Sequence, residues 1–140
     1  MIVFTYRELK TAWKDTAAAY ETVEADSRTN AHRLLLFYAV ETGLKAVLLK
    51  RNGKNDSEGE FSEFQHDLNK LMDALQIGAA LRLNSNISLK ELKKPARQRH
   101  SNCSELNQIW RYGAKAKEPS DVQLEVKLQA ILEWLYGELT

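Results

Sequence analysis

The sequence predicts an all-α fold: an antiparallel bundle of four long helices with short helical insertions, in one domain spanning residues 1–140. Three observations lead there. Apolar residues recur every three or four positions over most of the chain, the period of a helix with one buried face. Two prolines and six glycines are too few for the tight turns of a many-stranded sheet. A chain of 140 residues with 44% hydrophobic residues can bury a core without a disulfide or metal staple.

The first helix follows from the stripe Tyr6, Leu9, Trp13, Ala17, Tyr20 and Val23. Asp26-Ser27 offers an N-cap for a second helix that runs through Leu34, Leu35 and Leu36 to Lys50 and stops near Asn52-Gly53. Its apolar residues surround much of its circumference, which makes it the central helix, and Gly43 inside it suggests close contact with a neighbour. Residues 54–60 read as a loop. The third helix covers 62–76, with Phe64, Leu68, Leu71, Met72 and Leu75 inward and Gly78 as C-cap. Ser88 and Glu91 have capping-box spacing, which predicts a short helix ended by Pro95. Ser104 caps another over 105–112, closed by Gly113. The last helix starts at Pro119-Ser120-Asp121 and carries the stripe Leu124, Leu128, Ile131, Leu135 and Leu139. Trp134, Tyr136 and Val126 lie off that stripe, an apolar surplus that suggests a homodimer.

Charge is distributed unevenly behind a net value of +1. Residues 90–117 carry Lys90, Lys93, Lys94, Arg97, Arg99, Arg111, Lys115 and Lys117 against Glu91 and Glu105, a net +6. Residues 54–67 and 118–140 each carry a net −4. Two readings follow. The basic block is a surface for a polyanion or an acidic partner, with Lys93, Lys94, Arg97, Arg99 and Arg111 as its phosphate-binding candidates, or the acidic blocks fold against it and cancel its field. The polar run after Pro95 is expected as an exposed loop. No apolar run approaches the roughly 18 residues of a membrane span. Met1 to Lys10 lacks the basic start and apolar stretch of a signal peptide, so a soluble cytoplasmic protein is expected.

Little in the sequence points to a metal or cofactor, and none is expected. His32, His66 and His100 share no helical ligand spacing, and glycine spacing gives no phosphate-binding loop. The lone Cys103 reads as a half-buried core thiol. Glu41 and Lys45 are an i, i+4 ion pair in the favourable order. His66 or Asp67 can cap the third helix, Arg111 can satisfy carbonyls at a helix end or bind phosphate, and Tyr112 beside it reads as core.

Three blocks of the chain occur in a telling order: His32-Arg-Leu-Leu-Leu-Phe-Tyr-Ala-Val-Glu-Thr-Gly-Leu-Lys-Ala, then His66-Asp-Leu, then Arg111-Tyr-Gly. Together they resemble the HEPN domain superfamily. Its members share an aromatic-Ala-x-Glu followed by Leu-Lys-Ala on one helix, a His-Asp-Leu opening the next, and an Arg-Tyr-Pro or Arg-Tyr-Gly before the last. The resemblance implies an antiparallel helical bundle that homodimerises, in toxin–antitoxin, CRISPR or phage-defence systems. Ribonuclease members carry an Arg followed, after four to six residues, by a His, and two subunits combine these pairs to cut RNA without metal. This sequence departs from that pattern: Ala25-Asp26-Ser27, Gly59-Glu60-Phe61 and Lys93-Lys94-Pro95 stand where the Arg would precede His32, His66 and His100.

The expected function is therefore a non-catalytic, homodimeric binding or assembly subunit of a prokaryotic conflict or nucleotidyltransferase-associated system. Its partner would be a nucleotidyltransferase, a nuclease or an antitoxin. One alternative is a divergent metal-independent ribonuclease with His66 or His100 as general acid or base and Arg97, Arg99 or Arg111 on the phosphate. The other is an RNA- or DNA-binding module that uses residues 90–117.

Overall fold

A computed structural model describes residues 2–140 and shows a mixed architecture of helices and one antiparallel sheet. Helix α1 spans Tyr6–Glu21, and its start is fixed by a capping box in which Thr5 and Glu8 each satisfy the other's amide. Helix α2 spans Asn30–Arg51 and helix α5 spans Asp121–Leu139, the latter opened by the same exchange between Ser120 and Gln123. These three long helices pack with α2 in the middle, as its apolar circumference predicts; Leu36, Phe37, Val40, Leu44 and Leu49 are fully buried. Gly43 is the point of closest approach. A Cβ there would stand 2.6 Å from Leu135 Cδ1 and 2.9 Å from Trp13 Cδ1.

The all-α four-helix bundle is the expectation that fails. Residues expected as a short helix after Ser88 form strand β1 (Asn86–Lys93), which pairs antiparallel with β2 (Ala96–Asn102) and with β3 (Ala116–Glu118) in the order β2-β1-β3. The physical reason lies in the period. Ile87 is buried and Leu89 half-buried two positions on, so only a strand puts both on one face, and the ladder to β3 satisfies backbone that a four-residue capping signal could not. Pro95 sits in the two-residue turn of the hairpin, so the expected loop is a β-hairpin whose tip, residues 91–98, is exposed throughout.

The third long helix shrinks to α3 (Leu68–Ala74). Gln65 and Gln76 both adopt left-handed backbone, at φ 49° and 56°, and these break the helix before Leu68 and after Leu75, upstream of the expected cap at Gly78. Asp67 caps α3 by accepting from the Lys70 amide. Asp26-Ser27 forms a 3-10 turn instead of the α2 cap; Thr29 precedes α2, and its amide donates to His32 Nδ1 at 2.9 Å. Helix α4 (Leu106–Arg111) follows a 3-10 turn in which Asn102, not Ser104, accepts the first amide, and Gly113 ends it at φ 75°. Trp134 and Tyr136 are half-buried against the core, with Tyr136 5.2 Å from the Trp13 ring, so of the three residues that suggested a dimer only Val126 stands exposed.

Candidate nucleic-acid interface

The hairpin presents Lys93, Lys94 and Arg97 to solvent at its tip. Arg99, half-buried on β2, donates through Nη2 to the Lys90 carbonyl at 2.8 Å, while its buried Nε has no partner. Among the described residues none of the eight basic side chains of 90–117 lies within 4.0 Å of a carboxylate. Three acids of the carboxy-terminal block are engaged elsewhere. Glu125 pairs with Arg28 and Arg33, Glu138 with Arg51, and Asp121 Oδ1 accepts from Trp110 Nε1 at 2.8 Å and the Ala116 amide at 3.2 Å. The basic block is therefore free of direct ion pairs among the described residues.

A cleft of about 410 Å³ runs between the hairpin and α4 and is lined by Arg97, Arg99 and His100 on one side and Gln108 and Tyr112 on the other. Tyr112 is 75% exposed, against the expectation that it is core: α4 ends one residue earlier and turns its ring outward beside the arginines. An aromatic face next to guanidinium groups is the pairing on which single-stranded bases stack.

His66 and Arg111 sit apart from that cleft and are organised by one helix. With Asp67 capping α3, the His66 ring is free, and its Nδ1 lies 2.8 Å from Glu41 Oε2. Glu41 is 5% exposed, and Lys45 reaches the same oxygen at 3.5 Å, so the expected Glu41–Lys45 pair exists as part of a triad. A carboxylate on Nδ1 takes the ring N–H there as its donor and orients the imidazole. One turn earlier on α2, the Tyr38 hydroxyl accepts from Arg111 Nη2 at 2.9 Å. The three blocks that carry the family resemblance thus meet on α2. The cavity at His66, about 440 Å³, shares Glu105 and Gln108 with the hairpin cleft, so His66 and His100 line adjoining hollows.

One buried charge cluster has no counterpart in the sequence reading. Glu125 on α5 accepts from Arg33 Nε at 2.7 Å, from Arg28 Nη1 at 3.1 Å and from the Tyr20 hydroxyl, while Gln129 donates to that hydroxyl at 2.7 Å. Burial pushes the Glu125 carboxyl up, but the hydrogen bonds from Tyr20 and Arg33 and the two guanidinium charges outweigh it and hold the group below its ordinary value. Burial, with the neighbouring carboxylate, drives the Tyr20 phenol well above its usual range. Every member of the cluster is satisfied by another, which marks it as a structural lock joining α1, α2 and α5. No local signal announces it, because Glu125 lies 92 residues from Arg33.

Cys103 is buried, accepts from Asn69 Nδ2 at 3.2 Å, and has its thiol pushed up by burial and by the Asp67 charge, so it holds the thiol form. Among the described residues no group of three or more His, Cys, Asp or Glu side chains is placed to hold a metal ion, and no helix is long and apolar enough to cross a membrane. Comparison of the chain with protein-family models, curated proteins and solved structures returned no match.

Proposed function

We propose that this chain is a homodimeric binding subunit related to the HEPN superfamily that engages nucleic acid through the basic hairpin and the cleft beneath it. Its setting would be a prokaryotic conflict system, toxin–antitoxin or phage defence, alongside a nucleotidyltransferase, nuclease or antitoxin. The observation that carries the binding reading is the unpaired state of all eight basic side chains of residues 90–117. What supports the family relationship is the meeting of its three blocks on one face of α2, through Tyr38–Arg111 and Glu41–His66. Each phosphate contact releases counterions, so affinity for single-stranded RNA is expected to fall steeply between about 50 and 200 mM salt. Arg97→Ala with Arg99→Ala should weaken binding for all sequences and flatten the log–log salt slope by about 1.4, two contacts at roughly 0.7 each. A fluorescence titration that finds no binding at 50 mM salt overturns this reading. Light scattering that finds a 16.0 kDa monomer at tens of micromolar removes the dimer.

The Glu41–His66 pair favours a second reading, metal-independent RNA cleavage. His66 Nε2 would take the proton of a ribose 2′-hydroxyl as its oxygen attacks the adjacent phosphorus. The 5′-oxygen would leave with a proton from water, giving a 2′,3′-cyclic phosphate. On this reading RNA is cut in the presence of chelator, and His66→Ala lowers the rate about 10²–10⁴-fold without loss of binding. RNA that stays intact with the wild-type protein leaves binding as the whole function.

A further inference from the structure

A third cavity, about 810 Å³, lies between the start of α2, the start of α5 and the β1–β3 side of the sheet. Lys90 on β1, Arg111 on α4, Lys117 on β3 and Lys115 just before β3 line it. Lys115 immediately precedes β3 and Lys117 lies on it, and the Lys90 amide is bonded to the Lys115 carbonyl at 2.9 Å, which ties that segment to β1. A fifth cation, Arg33, is spent on Glu125 and on Asn30 Oδ1. The single acid in the lining, Asp121, has its Oδ1 occupied by Trp110 and the Ala116 amide. Four cations, none within 4.0 Å of a carboxylate among the described residues, thus share one hollow, each raising the cost of the others. The amino-terminal ends of two long helices, α2 and α5, add positive potential at the same place.

The geometry points to a seat for a phosphate group with two or more negative charges, either the phosphomonoester end of a nucleic-acid strand or a free pyrophosphate-type anion. A phosphodiester carries a single charge and would leave three of the four cations unmatched. A phosphomonoester or a pyrophosphate group matches two or more of them within one compact body. The volume suits a terminal nucleotide. The strand-end form rests on the nucleic-acid reading proposed above, whereas the anion seat stands without it.

The test uses oligoribonucleotides of one sequence with a 5′-phosphate, a 3′-phosphate or hydroxyl ends, together with inorganic pyrophosphate, all titrated at 100 mM salt. A phosphorylated end should bind at least about tenfold more tightly than its hydroxyl counterpart. Lys115→Ala with Lys117→Ala should abolish that preference, so that phosphorylated and hydroxyl-ended strands bind the double variant equally. Both lysines are exposed, so the double variant should keep the wild-type circular dichroism and melting. Pyrophosphate that binds, loses binding in the double variant and competes with the phosphorylated strand supports the same seat. Pyrophosphate binding with no oligonucleotide binding supports the free-anion form while the nucleic-acid reading falls. Equal affinity for phosphorylated and hydroxyl ends, with no pyrophosphate binding at millimolar concentration, overturns the proposal.

Discussion

Replacing Glu125 by Ala is expected to remove about 3–5 kcal/mol of folding stability, the cost of breaking a buried ion pair by deleting one partner. The Glu125 side chain is 7% exposed and both arginines are 12% exposed, so neither Arg28 nor Arg33 can turn to water when the carboxylate goes. The Tyr20 hydroxyl loses its acceptor at the same time, and the Arg28 guanidinium, held 4.2 Å over the Tyr20 ring, loses the charge that placed it there. Against a total stability of about 5–15 kcal/mol for a domain of this kind, that loss approaches unfolding. Urea denaturation at neutral pH measures it. Glu125→Gln keeps the shape and part of the hydrogen bonding and should fall between the two.

The same cluster sets a pH dependence. Glu125 titrates below its unfolded value, so its contribution is fully present above the ordinary carboxylate range and is lost as pH falls through its depressed folded value. Wild-type stability should therefore decline on acidification more than that of Glu125→Ala, and the gap between them should narrow. Parallel acid titrations of the two proteins, with equal losses, would show that Glu125 carries no linked stability.

What the sequence disclosed and what it concealed divides by distance along the chain. Helices α1, α2 and α5 were legible because a stripe such as Leu9, Trp13, Ala17 and Tyr20, or a box such as Ser120 with Gln123, is complete within a few turns. The hairpin was not, because β1 holds only Ile87 and Leu89 as inward residues and its pairing with β3 joins Leu89 to Ala116, across the whole of β2 and α4. Four residues with capping spacing at Ser88 outweighed a two-residue alternation. The helix expected over 62–76 was cut back by Gln65 and Gln76, residue types that give no warning of left-handed backbone.

The candidate site shows the same division. Residue types were read correctly as basic, imidazole or carboxylate, but their partners were invisible. Of the two cap candidates, His66 and Asp67, it is Asp67 that caps, and Glu41, 25 residues away, is the partner of His66. Arg111 and Tyr38 are 73 residues apart. The exposure of Tyr112 depends on where α4 stops, and a one-residue shift of that end decides between core and surface. The sign of the basic block was plain. Its freedom from ion pairs with the acidic blocks, of which Glu125 and Glu138 pair with other arginines, was for the fold to decide.

Gly43→Val is expected to cost about 2 kcal/mol, the scale of forcing extra volume into a packed core, and to do so despite a better helix propensity. Valine restores a few tenths of a kcal/mol of backbone preference over glycine in mid-helix. Its Cβ, however, would enter at 2.6 Å from Leu135 Cδ1 and 2.9 Å from Trp13 Cδ1, distances no side chain holds without displacement. Leu135 and Trp13 are both fully buried, and Trp13 is backed by the Tyr136 ring, so neither has space to withdraw. The strain must pass into the spacing of α1 and α5 against α2. Gly43→Ala, with the same Cβ and no branches, should cost about 1 kcal/mol, because a smaller overpacking opposes a larger propensity gain. Two urea melts decide the matter. Gly43→Ala as stable as wild type or more so would show that Leu135 can re-rotamer freely, and that α2 carries glycine here for a reason other than the approach of its neighbours.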